Sequence, residues 1–382
     1  MSERIRLVMV ARSLEIGGAE VQVSALARGL DRSRFDVHVL CLYRRGQLGD
    51  ELQSAGVPVT YLDKGGRWDF VRFFARFVAR LRRLRPHVVH SFLSAPNIFS
   101  AAATPWLRGT RLVWGVRASD MDLASYDWSW RVASWLERVL ASRVDRIVAN
   151  AAAGRVAALA QGLPGARLGV IPNGIDTDRY RPSPAERTRV RAEWQVPAGQ
   201  FLLGLTARVD PMKDHETFLA AAALLHARRP EIRFVCVGDG PEPLRSTLRD
   251  KAHTLGLTDC LLWAGARRDM NAVYNALDAA TLTSAFGEGF PNAVGEAMAT
   301  GRPCVVTNVG DAAIVVGETG RVVPKRDAPA LAAAWEQLAV ASAVERQRHG
   351  EQARARIVTE FSVGTMVAAY EREYSALAGV AR

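Results

Sequence analysis

The feature that most constrains this chain is an alternation of apolar strand runs and helical stretches that proceeds, breaks off and then starts again. Ile5–Ala11 reads as a buried strand and Val21–Leu30 as a helix. Asp36–Cys41 is a second strand and Val57–Leu62, after a short helix, a third. Phe70–Leu84 is a long helix feeding strand His87–Ser91, and Arg111–Val116, Arg146–Ala149 and Leu168–Ile171 complete the first round. The polar stretch Asp176–Gln200, rich in Arg and Pro, interrupts the pattern. The second round is strand Phe201–Thr206, helix Glu216–Arg228, strands Arg233–Val237, Leu261–Trp263 and Ala280–Thr283, helix Pro291–Thr300 and strand Pro303–Thr307. Strands that alternate with helices pair in parallel, with the helices covering both faces. Two rounds predict an α/β chain of two doubly wound, Rossmann-like domains, spanning 1–180 and 190–362. Ligands of such sheets sit beyond the carboxyl ends of the strands, so the cleft between the domains is the expected site.

Composition narrows the class. A chain of 382 residues with 49% hydrophobic residues can form two cores. Its four cysteines lie far apart with no Cys-x-x-Cys, so neither a disulfide framework nor a zinc knuckle is expected. Arg4 and Arg6 interrupt the first apolar run, so no signal peptide is read there, and no window approaches about 18 apolar residues. A cytoplasmic protein fits these features. Residues 1–180 carry 26 Lys+Arg against 16 Asp+Glu, a net of +10, and the rest of the chain carries 24 against 23, a net of +1. One half is therefore expected to meet something anionic.

The motifs fall at strand ends. The loop after the first strand holds Gly17-Gly18 before a helix, either a close backbone approach to a ligand or only a tight connection. It is not the Gly-x-Gly-x-x-Gly of a dinucleotide fold. The second domain opens with Arg208 at a strand end and Lys213 before the next helix. These are either two solvated cations or a clamp for a diphosphate whose charge grows as its bond breaks. Gly238-Asp239-Gly240-Pro241 is a turn or a phosphate-side loop, and Arg267 ends a strand where a base could stack. The sharpest motif is Glu288-Gly289-Phe290-Pro291-Asn292-Ala293-Val294-Gly295-Glu296. Its first glutamate lies in a Gly-Pro loop and its second two turns into the following helix, with Pro291 suited to the first turn and Gly301 to the C-terminal cap. A helix N-terminus offering amide donors between two carboxylates suits phosphate and sugar hydroxyls together.

Residues 288–303 resemble the E-x7-E signature of family 4 retaining glycosyltransferases, which have the GT-B fold. Arg208 with Lys213, Gly17-Gly18-Ala19-Glu20, Ile171-Pro172-Asn173-Gly174-Ile175-Asp176 and Gly238-Asp239-Gly240-Pro241 also match that family in order and spacing. The resemblance implies that Glu288 contacts hydroxyls of the donor sugar and Glu296 the nucleotide ribose. It implies that the backbone amides of the loop Gly289, Phe290, Pro291 and Asn292 face the sugar and β-phosphate. Arg208 and Lys213 would neutralise the leaving diphosphate, and Gly17 and Gly18 would lie against the phosphates. The N-terminal domain would bind a saccharide or lipid-linked acceptor, with His90 and Asn173 on that side. The donor would be a UDP- or GDP-linked sugar, no cofactor or metal would be needed, and the anomeric configuration would be retained. Two departures stand out. His90-Ser91-Phe92 has only the first histidine of a frequent His-x-His, so His90 either lines the acceptor pocket or simply ends a strand. Val309-Gly310-Asp311-Ala312-Ala313-Ile314 lacks the second glycine and the glutamate of a frequent Val-Gly-Gly-x-x-Glu, which leaves the sugar open.

The segment Arg67–Arg85 contains seven arginines and one acid. Arg72, Arg76, Arg80 and Arg83 fall at helical spacing beside Phe70, Phe73, Phe74, Phe77, Leu81 and Leu84. It is either an ordinary packed helix or a basic amphipathic helix on an anionic membrane surface, and the +10 charge favours the latter. Nucleic acid is not expected, because no aromatic-basic binding module is present. Arg354–Phe361 and Ser362–Leu377 read as closing helices. In the resembling fold the last one, from about 363 to 382, crosses back onto the N-terminal domain, a contact that Tyr370 and Tyr374 suit. Alternatives are a regulatory protein of the same fold without turnover, a sugar-nucleotide epimerase, and an oxidoreductase. Glu288, Arg208 and Lys213 argue against the first, the Glu288–Glu296 pattern against the second and the glycine pattern against the third.

Overall fold

The computed structural model describes residues 3–15, 17–43, 46–65, 69–117, 128–197 and 199–380. By contacts the chain divides into two units, Met1–Gly174 with Val363–Arg382, and Ile175–Ser362.

In the first unit, β1 (Ile5–Ala11), β2 (Phe35–Cys41), β3 (Val59–Tyr61), β4 (Val88–Phe92), β5 (Arg111–Val116), β6 (Arg146–Ala149) and β7 (Leu168–Val170) form a parallel sheet in the order β3-β2-β1-β4-β5-β6-β7. Helices α1 (Gly18–Gly29), α2 (Gln47–Ser54), α3 (Phe70–Leu84), α4 (Ser94–Ala103), α5 (Trp128–Leu140) and α6 (Ala152–Ala160) connect the strands. The apolar run in β1 follows from burial on both faces. Leu7 and Met9 join one core with Leu26, Tyr370 and Tyr374, while Val8 and Val10 join another with Phe73, Phe77 and Trp114.

The second unit begins with α7 (Pro184–Glu193). It continues through β8 (Leu202–Thr206), α8 (His215–His226), β9 (Arg233–Val237), α9 (Glu242–Thr254), β10 (Leu261–Gly265), α10 (Met270–Ala276), β11 (Ala279–Leu282), α11 (Asn292–Ala299), β12 (Cys304–Thr307), α12 (Ala312–Val316), β13 (Arg321–Val323), α13 (Ala328–Val340) and α14 (Ala343–Glu360). Its six strands are parallel in the order β10-β9-β8-β11-β12-β13. Phe218, Phe234 and Trp335 pack at mutual centroid distances of 5.2–6.3 Å in one of its cores. The final helix, α15 (Val363–Val380), belongs to the first unit, where Tyr370 and Tyr374 are buried against α1 and β4.

Two expectations change. The first unit stops at Gly174 rather than 180, because Ile175 bridges to Ser362 and is buried with Tyr180 in a core of the second unit. The stretch 176–200 also contains α7, capped by Ser183, whose Oγ accepts from Glu186 N–H at 3.4 Å. The helix shows little apolar periodicity, since it is held by polar groups. Arg187 and Arg191 both reach the Asp278 carboxylate, at 2.6 and 3.1 Å, and the carbonyl ends of α10. Among the described residues no helix is long and apolar enough to cross a membrane.

Candidate functional site

The loops at the carboxyl edge of the second sheet are tied to one another by backbone. Ala207 N–H donates to Val237 O at 3.0 Å and Val209 N–H to Asp239 O at 2.9 Å. A Cβ on Gly238 would lie 1.9 Å from Ala207 O, so glycine is required there to let the two loops touch. Asp239 is used locally, accepting from Gly240 N–H at 2.8 Å and pairing with Arg245. Gly238 and Asp239 thus serve first to brace the loop that carries Arg208 and Lys213.

That loop forms a single 3-10 turn, Pro211–Lys213, opened by Asp210, whose carboxylate accepts from Met212 N–H at 3.0 Å. Thr283 Oγ1 then donates to Lys213 O at 2.7 Å, and Ala285 N–H to Met212 O at 2.9 Å. Thr307 Oγ1 donates to Ser284 O at 2.7 Å, so the loops after β8, β11 and β12 are cross-linked. Lys213 Nζ meets the Glu288 carboxylate directly, with side-chain exposures of only 18% and 8%. Ser284 Oγ donates to the same Glu288 oxygen at 2.5 Å. The Glu288 backbone is fixed as well. Gly310 lies at φ +58°, where a Cβ would come 2.3 Å from Glu288 O, and Asp311 N–H donates to Gly289 O at 3.0 Å.

Helix α11 starts at Asn292, one residue later than the sequence suggests, with Pro291 at its N-cap position. Phe290 is buried, its ring 5.5 Å from Phe361. In the second turn Glu296 accepts from Tyr274 Oη at 2.9 Å. Burial pushes its carboxyl up to about 7, against hydrogen bonds from Tyr274 and Tyr180 and the charge of Arg179, which favour ionisation.

The predicted residues do not all meet. Arg208 is mostly exposed and pairs with Asp210 at 2.9 Å, so of the two expected clamp cations only Lys213 touches Glu288. Arg267 joins β10 to the end of α7: its Nε donates to Asp269 at 2.9 Å and its Nη2 to Glu193 at 3.0 Å, with its guanidinium 5.9 Å from the Trp194 ring. Ser284, Tyr180, Tyr274 and Gly310 were not read as site residues. For the tyrosines no spacing signal existed, because they converge on Glu296 from distant positions. A glycine after β12 was the available signal for Gly310.

In the first unit, Gly17 is the extended N-cap residue of α1 and Gly18 its first helical residue. Asn173 Oδ1 accepts from Arg117 at 2.5 Å, and Gln22 exchanges two 2.9 Å bonds with the Gly174 backbone. His90 is fully buried beneath α15. Its Nδ1 is 2.6 Å from Tyr374 Oη and its ring 3.9 Å from Phe92. Burial, and secondarily the Arg117 charge, hold its pKa well below the ordinary value, so the imidazole is neutral.

Comparison with known proteins converges on one family. A family model described as Glycosyltransferase Family 4 matches residues 16–179, and one described as Glycosyl transferases group 1 matches residues 200–340. EpsF of Bacillus subtilis (strain 168), assigned to the glycosyltransferases, is 26% identical over 320 residues, covering 80% of each chain. An Escherichia coli UDP-Gal:alpha-D-GlcNAc-diphosphoundecaprenol alpha-1,3-galactosyltransferase is 24% identical over 319 residues, covering 76% of this chain and 79% of its own. The crystal structure of Anabaena Alr3699/HepE in complex with UDP-glucose superposes with a TM-score of 0.84 at 22% identity, covering 98% of this chain and all of the other.

Proposed function

This chain belongs to the group 1, family 4 glycosyltransferases, and from that premise we propose that it moves a hexosyl group from a nucleoside diphosphate sugar to a saccharide or lipid-linked acceptor, with retention of configuration. The observation that carries the reading is the buried Lys213–Glu288 pair beside the Gly289–Asn292 loop. A donor sugar would exchange a hydroxyl for one partner of Glu288, and its β-phosphate would take Lys213 Nζ. As the anomeric C–O bond breaks, charge collects on that phosphate, and a cation held in a poorly hydrated setting stabilises it more than it stabilises the bound donor. Arg208 would leave Asp210 to join it, a rotation its exposure allows. These cations would do the work of a metal. Glu296 would accept from the ribose hydroxyls, Gly17 and Gly18 would lie against the phosphates, and the first unit would take the acceptor.

The E. coli relative is named for a UDP-linked donor and a lipid diphosphate acceptor, and HepE was crystallised with UDP-glucose. Both support a nucleotide-sugar donor, and the first supports a place in polysaccharide or glycolipid assembly. A peripheral position on an anionic membrane, suggested by the basic first 180 residues, fits a lipid-linked acceptor. The deciding test is a screen of UDP- and GDP-sugars for hydrolysis or transfer, beside thermal protection by nucleoside diphosphates and by NAD. Turnover of one donor with protection by its nucleoside diphosphate is expected. Protection by NAD alone, or no turnover of any donor, would overturn the reading.

A further inference from the structure

Arg117 stands at the carboxyl edge of the first sheet, one residue past β5. Ligands of doubly wound sheets bind beyond that edge. Backbone fixes the position from both sides. Leu93 N–H, after β4, donates to Gly115 O at 3.2 Å, and Asn150 N–H, after β6, donates to Val116 O at 3.1 Å. The side chain is fixed as well. Its Nη1 donates to Asn173 Oδ1 at 2.5 Å, and its guanidinium lies 5.1 Å from the centre of the Phe92 ring. Asn173 is buried, and the backbone of the next residue, Gly174, is held by Gln22 through two 2.9 Å bonds.

What this guanidinium lacks is a counter-charge. Arg111 and Arg146, which begin β5 and β6, are answered by Asp145 and Glu373, each at 2.9 Å. Glu371, the other acid of α15, pairs with Arg34 at 3.0 Å. On α3, Arg76 pairs with Asp69 at 2.8 Å, and Arg67, where the basic stripe was expected to begin, lies outside the described residues. Arg117 is half-buried and has no ion pair among the described residues. A partly desolvated cation that meets only a neutral amide and a ring costs the fold stability. Its remaining N–H groups stay open to solvent, whereas Nε of Arg146 is sealed. Two neighbours show that this edge is not arranged for the fold alone. Leu93 lies at φ +72° and ψ 163°, a region that strains any residue but glycine. Asn150 is buried, and its Oδ1 has no hydrogen-bond partner among the described residues.

We propose that Arg117 binds an oxyanion, a phosphate or a carboxylate, carried by the acceptor. A guanidinium with one N–H anchored and the rest of its fork open is pre-set for two parallel bonds to such a group. Asn173 is a positioning residue that orients the fork, and Gln22 acts through the Gly174 backbone beside it. A neutral saccharide would leave the charge of Arg117 unanswered, so the site selects acidic acceptors over neutral ones. That the ligand is the acceptor rests on the transferase reading; that it is an anion rests on the unpaired charge of Arg117.

The test is a ligand-observed NMR titration of the full chain with glucose 1-phosphate, glucuronate and methyl glucoside. At least one acid should bind more tightly than the neutral glucoside, and the tighter of the two names the oxyanion. R117Q should weaken binding of that acid by about tenfold to a hundredfold and leave the glucoside as it was. R117K, which keeps the charge without the fork, should recover only part of the loss. K213A should bind the acid like wild type, which separates this site from the diphosphate cations. In thermal unfolding R146Q, which strands Glu373, should lower the melting temperature, and R117Q should not. The inference is overturned if neither acid outbinds the glucoside, if R117Q binds the acid like wild type, or if K213A loses as much as R117Q. It is also overturned if R117Q is destabilised as much as R146Q, which would make Arg117 a structural residue. The titration needs no turnover. Donor turnover without Arg117-dependent binding strikes this inference alone, whereas Arg117-dependent binding with no turnover of any donor keeps the anion site and strikes the transferase reading.

Discussion

Replacing Glu296 by glutamine should make the nucleotide-free protein more stable at pH 8 and bind a nucleotide less well. The carboxyl is pushed from an ordinary 4.5 up to about 7, chiefly by burial. The folded state therefore holds this proton more tightly than the unfolded chain does. That stabilisation is complete below 4.5 and is lost as pH rises through 7, so an ionised Glu296 costs the fold about 3 kcal/mol at pH 8. Solvent still reaches part of the residue, which lowers the figure toward about 2 kcal/mol. Glutamine keeps an oxygen for the Tyr274 hydroxyl without the charge. For a unit of this size the gain is roughly 4–10 °C in melting temperature.

The comparison is made as variant minus wild type by thermal and urea unfolding at pH 5 and pH 8, so that other titrating groups cancel. His38 and His215, both lowered to about 4 chiefly by burial, act in the opposite sense, losing stabilisation as pH falls below about 6.5. If Glu296 accepts from ribose, wild-type affinity for UDP or GDP should rise with pH through 7 and level off. The variant should bind more weakly, with a flat profile. A variant no more stable than wild type at pH 8, or a stability difference that is the same at pH 5, would refute the reasoning.

Lys213→Ala should cut kcat by about 10²–10³ and leave Glu288 buried with an uncompensated charge, for a stability loss of about 3 kcal/mol; turnover within a few-fold of wild type would remove Lys213 from the mechanism. Gly310→Ala, whose Cβ would fall 2.3 Å from Glu288 O, should lose activity and clearly more stability than Gly256→Ala, at φ +72° with no atom within 4 Å, which should cost about 1 kcal/mol of strain alone. Equal melting temperatures for the two would sink the packing argument. Asp278→Ala removes the acceptor shared by Arg187, Arg191 and the Leu202 amide and should cost 3 kcal/mol or more, measured by urea unfolding.

Every strand of the first sheet and all but β13 of the second were legible because burial on two faces writes itself as apolar runs, and β5, β6 and β9 begin and end where the pattern does. Helix α7 was not legible, since its stability lies in Arg187 and Arg191 reaching Asp278, 91 and 87 residues away, and such polar contacts leave no period. β13 was missed for a related reason: three residues at a sheet edge are too few to alternate. At the site, the types and order of Glu288, Lys213 and Glu296 were readable. What was not readable is which groups they meet. Nothing in the string shows that Arg208 turns to Asp210, that Arg267 is taken by Glu193 and Asp269, or that Tyr180 and Tyr274 enclose Glu296.

The Lys213–Glu288 pair also bears on selectivity. Two opposite charges with little solvent satisfy each other, and separating them without replacement is expensive. A ligand that offers only phosphate would relieve Lys213 and leave Glu288, among the described residues, with Ser284 as its remaining side-chain donor. A ligand that offers only hydroxyls would relieve Glu288 and strand the cation. A sugar joined to a diphosphate supplies both replacements from one molecule, at a spacing set by the anomeric bond. The same pair that resists either fragment would therefore favour the intact donor. Once that bond broke, the diphosphate could hold Lys213 but would no longer bring the hydroxyl for Glu288, so re-forming the Lys213–Glu288 contact would favour departure of the leaving group.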